Sequence, residues 1–137
     1  MKVGKSYIKD TGGSLEKLKA LGDIPPNAIL ITTNVVGLYL SITHDAGLKA
    51  LYEKLEERTE KKIPSVDLVE MAEFVLKNNF FEFETKIIQQ LSGTVIGSKF
   101  APPYACLFMD KMENDFLEQE AVKAWLWLRY IDDVFFI

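Results

Sequence analysis

The hydrophobic pattern of this chain changes period several times, and each change predicts an element. Leu15, Leu18 and Leu21 recur at helical spacing behind Ser14, and Gly22 stops them. They predict a short helix over 15–21, after a break at Gly12-Gly13. Pro25-Pro26-Asn27 is a turn. The run over 28–34 (A-I-L-I-T-T-N) predicts a buried strand, apolar first and polar at its end. Gly37-Leu38-Tyr39 bends the chain away. Thr43 or Asp45 then caps a helix that runs to about Arg58, with Leu48, Leu51 and Leu55 as its inward stripe. The charge run over 56–62 belongs to solvent. Ser65 opens another helix, with Leu68, Ala72, Val75 and Leu76 on its apolar face and Asn78-Asn79 at its end.

Beyond it the period shortens. Residues 81–84 alternate as a strand, Ile87 and Ile88 begin its partner, and the hairpin turns across Thr85-Lys86. Phe80, Phe81 and Phe83 are expected in the core. Residues 90–99 form a glycine-bearing loop. Pro102-Pro103 suits the first turn of a long helix, with Ala105, Phe108, Met112 and Phe116 on its core side and 118–120 as its wet end. Residues 125–130 are a strand with Trp125 and Trp127 on one face. It leads through Asp132-Asp133 into a last strand over 134–137. The order predicts an α+β fold, an antiparallel sheet with helices packed on one face. The polar strand ends, Asn34 and Asp132-Asp133, then meet on one edge.

Composition narrows the chemistry. The chain has 137 residues, the size of one domain, with 48% apolar and 26% charged residues. Its net charge is −4, whereas a free-standing nucleic-acid binder usually shows a basic face, so if the chain acts on nucleic acid most charge for gripping phosphate is elsewhere or missing. Cys106 is the only cysteine and His44 the only histidine, which excludes an internal disulfide and makes a Cys-based or His-rich metal site a poor fit. Cys106 reads as a core residue and His44 as a residue at a helix start. No signal peptide or membrane-length apolar run is visible, so an intracellular location is expected, with nucleus and cytoplasm both open, and no membrane partner. Asp132 and Asp133 repel each other at a hairpin tip. A hard cation such as Mg²⁺, which takes oxygen ligands, would neutralise them. Aspartate is also a common turn residue, so the pair alone fits a solvated turn as well.

Four segments carry a more specific pattern. They are residues 6–11 (S-Y-I-K-D-T), 28–47 (A-I-L-I-T-T-N-V-V-G-L-Y-L-S-I-T-H-D-A-G), 90–109 (Q-L-S-G-T-V-I-G-S-K-F-A-P-P-Y-A-C-L-F-M) and 128–137 (L-R-Y-I-D-D-V-F-F-I). In this order they resemble the palm of reverse transcriptases, most closely those of Penelope-like retroelements, over essentially the whole chain. The resemblance implies nucleotidyl transfer by two metal ions held on carboxylates of the first and third motifs. It implies Asp132 and Asp133 as catalytic metal ligands. Asn34 stands where the family has its first catalytic aspartate. Tyr39 matches the aromatic that senses the sugar 2′ position. Gly93 and Gly97 match a loop whose backbone approaches template and nucleotide, and Lys99 there is read either as meeting phosphate or as a solvated lysine. Template–primer RNA or DNA and deoxynucleotides are the implied partners, with other protein chains a further possibility.

The departures from the family are specific. An amide at Asn34 ligates a cation without charge, so Mg²⁺ is expected to bind weakly. Thr43 replaces a proline, Glu84-Thr85 an Asn-Gly turn, and Ile96 a methionine. The family's later palm strands, thumb, GIY-YIG nuclease and most of its fingers have no counterpart in the sequence. The expectation is a partial reverse transcriptase domain over 1–137, an RNA-directed DNA polymerase fragment of retroelement origin, inactive alone. Trp125, Trp127 and the final strand are expected to expose an apolar edge prone to association. The alternatives are a retained protein- or RNA-binding module, for which the acidic charge favours protein, and a polymerase subunit completed by another chain.

Overall fold

A computed structural model of the chain describes residues 6–94, 97–118 and 124–137. Ile96 and the end of the wet stretch at Glu120 lie outside the described residues. The first helix, α1, spans Thr11–Leu21. Its cap is Asp10, whose carboxylate accepts from the Gly13 amide at 2.9 Å. Gly12 and Gly13 therefore lie inside the first turn. The helix starts well before Ser14 because Asp10 satisfies an amide there first.

Strand β1 (Ile31–Asn34) follows, then a single helical turn α2 (Leu38–Ser41), α3 (His44–Glu56) and α4 (Ser65–Lys77). Thr43 caps α3, its hydroxyl accepting from the Ala46 amide. Strands β2 (Phe80–Phe83) and β3 (Lys86–Gln89) form a hairpin. The long helix α5 (Ala101–Leu117) has proline in its first turn, and strands β4 (Trp127–Tyr130) and β5 (Asp133–Phe136) close the chain. None of the described helices is long and apolar enough to cross a membrane.

The core lies among α3, α4 and α5, where Leu48, Leu51 and Leu55 meet Ala72, Leu76, Tyr104, Ala105 and Leu107, with Leu38 and Ile42 beside them. The main sheet is antiparallel in the order β1-β5-β4, and the β2–β3 hairpin is a separate two-stranded sheet. The segment at Tyr7 adds to β4 as a parallel bridge opposite Arg129. Side chains alternate across a sheet. Trp127 stacks on Phe136 at 4.8 Å and meets Phe116 of α5 at 5.8 Å. The same face carries Arg129 and Val134. Leu128, Tyr130, Asp133 and Phe135 therefore point to the other face, together with Thr32 and Asn34 of β1.

Several expected positions are corrected. β1 begins at Ile31, not Ala28, and is exposed along its length, not buried. It is an edge strand, and the core cluster draws no residue from it. Phe80, Phe81 and Phe83 are exposed, because their hairpin pairs only with itself. Val75 on α4 is also exposed. On α5, Met112 and Phe116 are exposed while Asp110 and Glu113 are buried, because an arginine stands opposite them. Trp125 precedes β4 and is exposed, whereas Trp127 packs.

The β2–β3 turn falls on Glu84-Thr85, since Phe83 pairs with Lys86 rather than turning beyond it. Glu84 has φ 56°, a left-handed conformation that an L side chain resists by roughly 1–2 kcal/mol. Glu84→Gly is expected to stabilise the protein by about 1 kcal/mol. Urea unfolding checks this, read as a raised midpoint at unchanged slope.

Candidate metal and nucleotide site

The antiparallel register of β1 with β5 sets Asn34 opposite Asp133. Asn34 Nδ2 donates to Asp133 Oδ1 at 2.9 Å. One residue along, the Val35 amide donates to the Asp132 carbonyl at 2.9 Å. The β4–β5 turn consists of Ile131 and Asp132, because Tyr130 pairs with Asp133. The two aspartates are thus not equivalent. Asp132 stands in the turn, whereas Asp133 starts a strand and projects on the face away from α5. Beside Asp133 a cleft of about 280 Å³ runs along that face, lined by Ile8, Thr32, Leu128, Tyr130 and Phe135.

Tyr39 joins this cluster from α2. Burial raises its phenol above the ordinary value, and electrostatic contributions from Cys106 and Asp132 push the same way. The phenol therefore stays neutral and protonated near Asp132.

The glycine loop reaches the same place by its backbone. Gly93 has φ 82°, and a Cβ there would lie 3.0 Å from Leu40 Cα and from the Tyr39 carbonyl. The Thr94 amide donates to that carbonyl at 2.6 Å. His44 Nε2 lies 3.1 Å from the Gly93 carbonyl, a geometry in which the ring nitrogen donates. The close approach that Gly93 allows is thus to the chain's own α2 backbone. The bond from His44 was not legible in the sequence, which offered it only as a residue at a helix start.

Gly97 and Lys99 are not brought into this group. Gly97 has φ 93° with open space around it. Lys99 is exposed and makes no hydrogen bond or ion pair among the described residues.

The donors suit a hard cation only in part. Asp132 and Asp133 offer carboxylate oxygens, and water would complete the ligand set. Asn34 spends its amide N–H on Asp133 and brings no charge of its own. Among the described residues no group of three or more His, Cys, Asp or Glu side chains is placed to hold a metal ion.

Behind the turn lies a buried ionic cluster. Arg129 Nη2 donates to Asp110 Oδ1 at 2.7 Å. Its Nε is 2.9 Å from Glu113 Oε1 but off the line of a hydrogen bond. Glu113 also accepts from Ser6 Oγ at 2.6 Å and from Trp127 Nε1 at 2.9 Å. The sequence carried a signal for this cluster: two acids three residues apart on a helix stripe that is otherwise apolar.

No family model matches the chain, and no curated protein matches it. A solved structure does: apo telomerase from Candida tropicalis, truncated from the C-terminal domain, matches 96% of this chain with a TM-score of 0.72 at 15% identity. The chain spans 29% of that telomerase chain. At this identity the likeness is one of fold, and the chain folds as part of that telomerase does, in an α+β arrangement of antiparallel sheets and helices.

Proposed function

We propose that the chain is the palm part of a reverse-transcriptase-like polymerase of Penelope-like retroelement origin, with a weakened divalent-cation site and no primer extension of its own. One observation carries this reading. Asn34 meets Asp133 at 2.9 Å on adjacent strands, with Asp132 next in the turn, on a fold shared with part of a telomerase. Those are the positions at which the resemblance expects metal-bearing carboxylates. A bound Mg²⁺ would polarise phosphoryl oxygens and acidify an attacking hydroxyl. Asp132 and Asp133 supply the negative charge that draws the cation, Asn34 supplies none, and Tyr39 with the Gly93 loop walls the place for a nucleotide. The partners are a template–primer of RNA or DNA and deoxynucleotides.

Mn²⁺ binding followed by electron paramagnetic resonance tests the site. The wild type is expected to bind with a dissociation constant of about a millimolar, and Asp132→Ala/Asp133→Ala to lose that binding. Equal binding by both proteins would overturn the metal assignment. In a second assay, neither protein should incorporate a labelled deoxynucleotide on a primed template. Incorporation by the wild type that Asp132→Ala abolishes would show that Asn34 suffices as a ligand, and the inactive reading would be withdrawn.

A second reading, a polymerase subunit completed by another chain, is favoured by one feature. Phe80, Phe81, Phe83 and Ile87 on the hairpin and Met71 and Phe74 on α4 are exposed apolar side chains of the kind that protein partners cover.

A further inference from the structure

Arg129 is fully buried, yet it touches both the core helix and the turn that carries the two aspartates. From β4 its Nη2 reaches Asp110 Oδ1 at 2.7 Å and the Cys106 carbonyl at 3.3 Å, both on α5. Its Nη1 donates to the Ile131 carbonyl at 3.2 Å. The Tyr7 ring lies against the guanidinium, 5.7 Å from ring centre to Cζ.

Ile131 is a residue that needs holding. Its φ of 55° is left-handed, and a branched Cβ makes it a genuine outlier there. Such a conformation persists only where its surroundings over-determine it. If Ile131 relaxed to an extended φ, the peptide leading into Asp132 would rotate. That rotation would pull the Asp132 carbonyl off the Val35 amide and shift Asp133 against Asn34. A planar guanidinium donates to α5 and to the turn at once, which a lysine ammonium at the end of a flexible stem does poorly.

We infer that Arg129 is a positioning residue for the Asp132–Asp133 pair, clamping the Ile131 turn to α5 from behind. A residue that only held the fold together would be satisfied by Asp110 and Glu113. The bond from Nη1 to Ile131 is the part aimed at the turn. For its metal readout this inference rests on the cation reading above. For its geometry it does not.

The test compares two amides that donate to opposite ends of one hairpin. Val35 N–H, bonded to Asp132, reports the turn end, and Ile137 N–H, bonded to the Leu126 carbonyl at 3.0 Å, reports the far end. In Arg129→Lys, hydrogen exchange at Val35 is expected to accelerate about tenfold relative to Ile137, and Mn²⁺ affinity to fall about fivefold. Ile131→Gly in the Arg129→Lys background removes the strain, so it should recover most of both losses. Equal acceleration at both amides, or no recovery with Ile131→Gly, would overturn the clamp. If Arg129→Lys folds poorly, Arg129→Met/Asp110→Asn removes the two buried charges that bond to each other, one of each sign, and is read by the same ratio. A wild type that binds no Mn²⁺ would sink the metal reading, and the exchange ratio would still decide the clamp.

Discussion

Replacing Asn34 by aspartate is expected to destabilise the metal-free protein and to make its stability depend on divalent cations. The Asn34 amide now donates to a charged oxygen of Asp133 at 2.9 Å. In Asn34→Asp that bond is lost and two carboxylates face each other. Both positions are exposed, so water screens the repulsion. The lost bond and the screened repulsion together cost about 1–2 kcal/mol. In chelator the melting temperature should fall by about 5 °C. Excess Mg²⁺ should reverse the fall, because a cation bound only by the folded form stabilises it by mass action. The wild type should respond much less. Thermal melts of both proteins with chelator and with Mg²⁺ provide the check. An Asn34→Asp protein as stable as the wild type in chelator and indifferent to Mg²⁺ would show that these oxygens do not form a cation site.

The second large effect lies in the core. A Cβ on Gly47 would stand 2.0 Å from Tyr104 Oη, 2.5 Å from Cζ and 2.9 Å from Ile42 Cγ2. These are side-chain atoms of two buried residues, a stiff aromatic ring and a branched chain, so a methyl there must displace packed core. Gly47→Ala should destabilise by about 3 kcal/mol despite the better helix propensity of alanine. The Tyr104 hydroxyl is buried without a hydrogen-bond partner among the described residues, and burial pushes its pKa up to about 12. Tyr104→Phe should therefore be neutral or stabilising by about 1 kcal/mol. Because it also removes the nearest clashing atom, Gly47→Ala/Tyr104→Phe should be more stable than Gly47→Ala by more than the single change predicts. Denaturant midpoints of the four proteins measure this cycle. Strict additivity would mean that the hydroxyl is not what Gly47 makes room for.

Helices α3 and α4 were legible because leucine and alanine stripes at helical spacing report the face that packs, and Thr43 and Pro64-Ser65 mark where they begin. The meeting of Asn34 with the aspartate turn was legible because both strand ends turn polar after apolar runs. Apolar alternation reports that a strand has a face, and says nothing of what lies on it. That is why Phe80, Phe81 and Phe83 looked like core and are exposed. α5 misled for the opposite reason. Its inward stripe includes Asp110 and Glu113, which a hydrophobic pattern assigns to solvent, and only the distant Arg129 makes their burial tolerable. The bond from His44 to Gly93 was hidden because it joins a helix start to a loop 49 positions away.

The sheet order has a kinetic consequence. β1 pairs with β5 alone among the described strands, and the contact that completes the site spans 99 positions of sequence. Helices α3, α4 and α5 meet over much shorter loops and nucleate at lower entropic cost. The aspartate hairpin, with adjacent strands, also forms locally. Closure of β1 onto that hairpin is therefore the late step of folding, and until then Ile31–Asn34 carry unpaired backbone beside the exposed apolar side chains of Ile29 and Leu30. Such a segment pairs readily with its copies on other molecules. Refolding yield should be governed by a race between this closure and intermolecular pairing, so dilution during refolding will matter more than the stability of the finished fold.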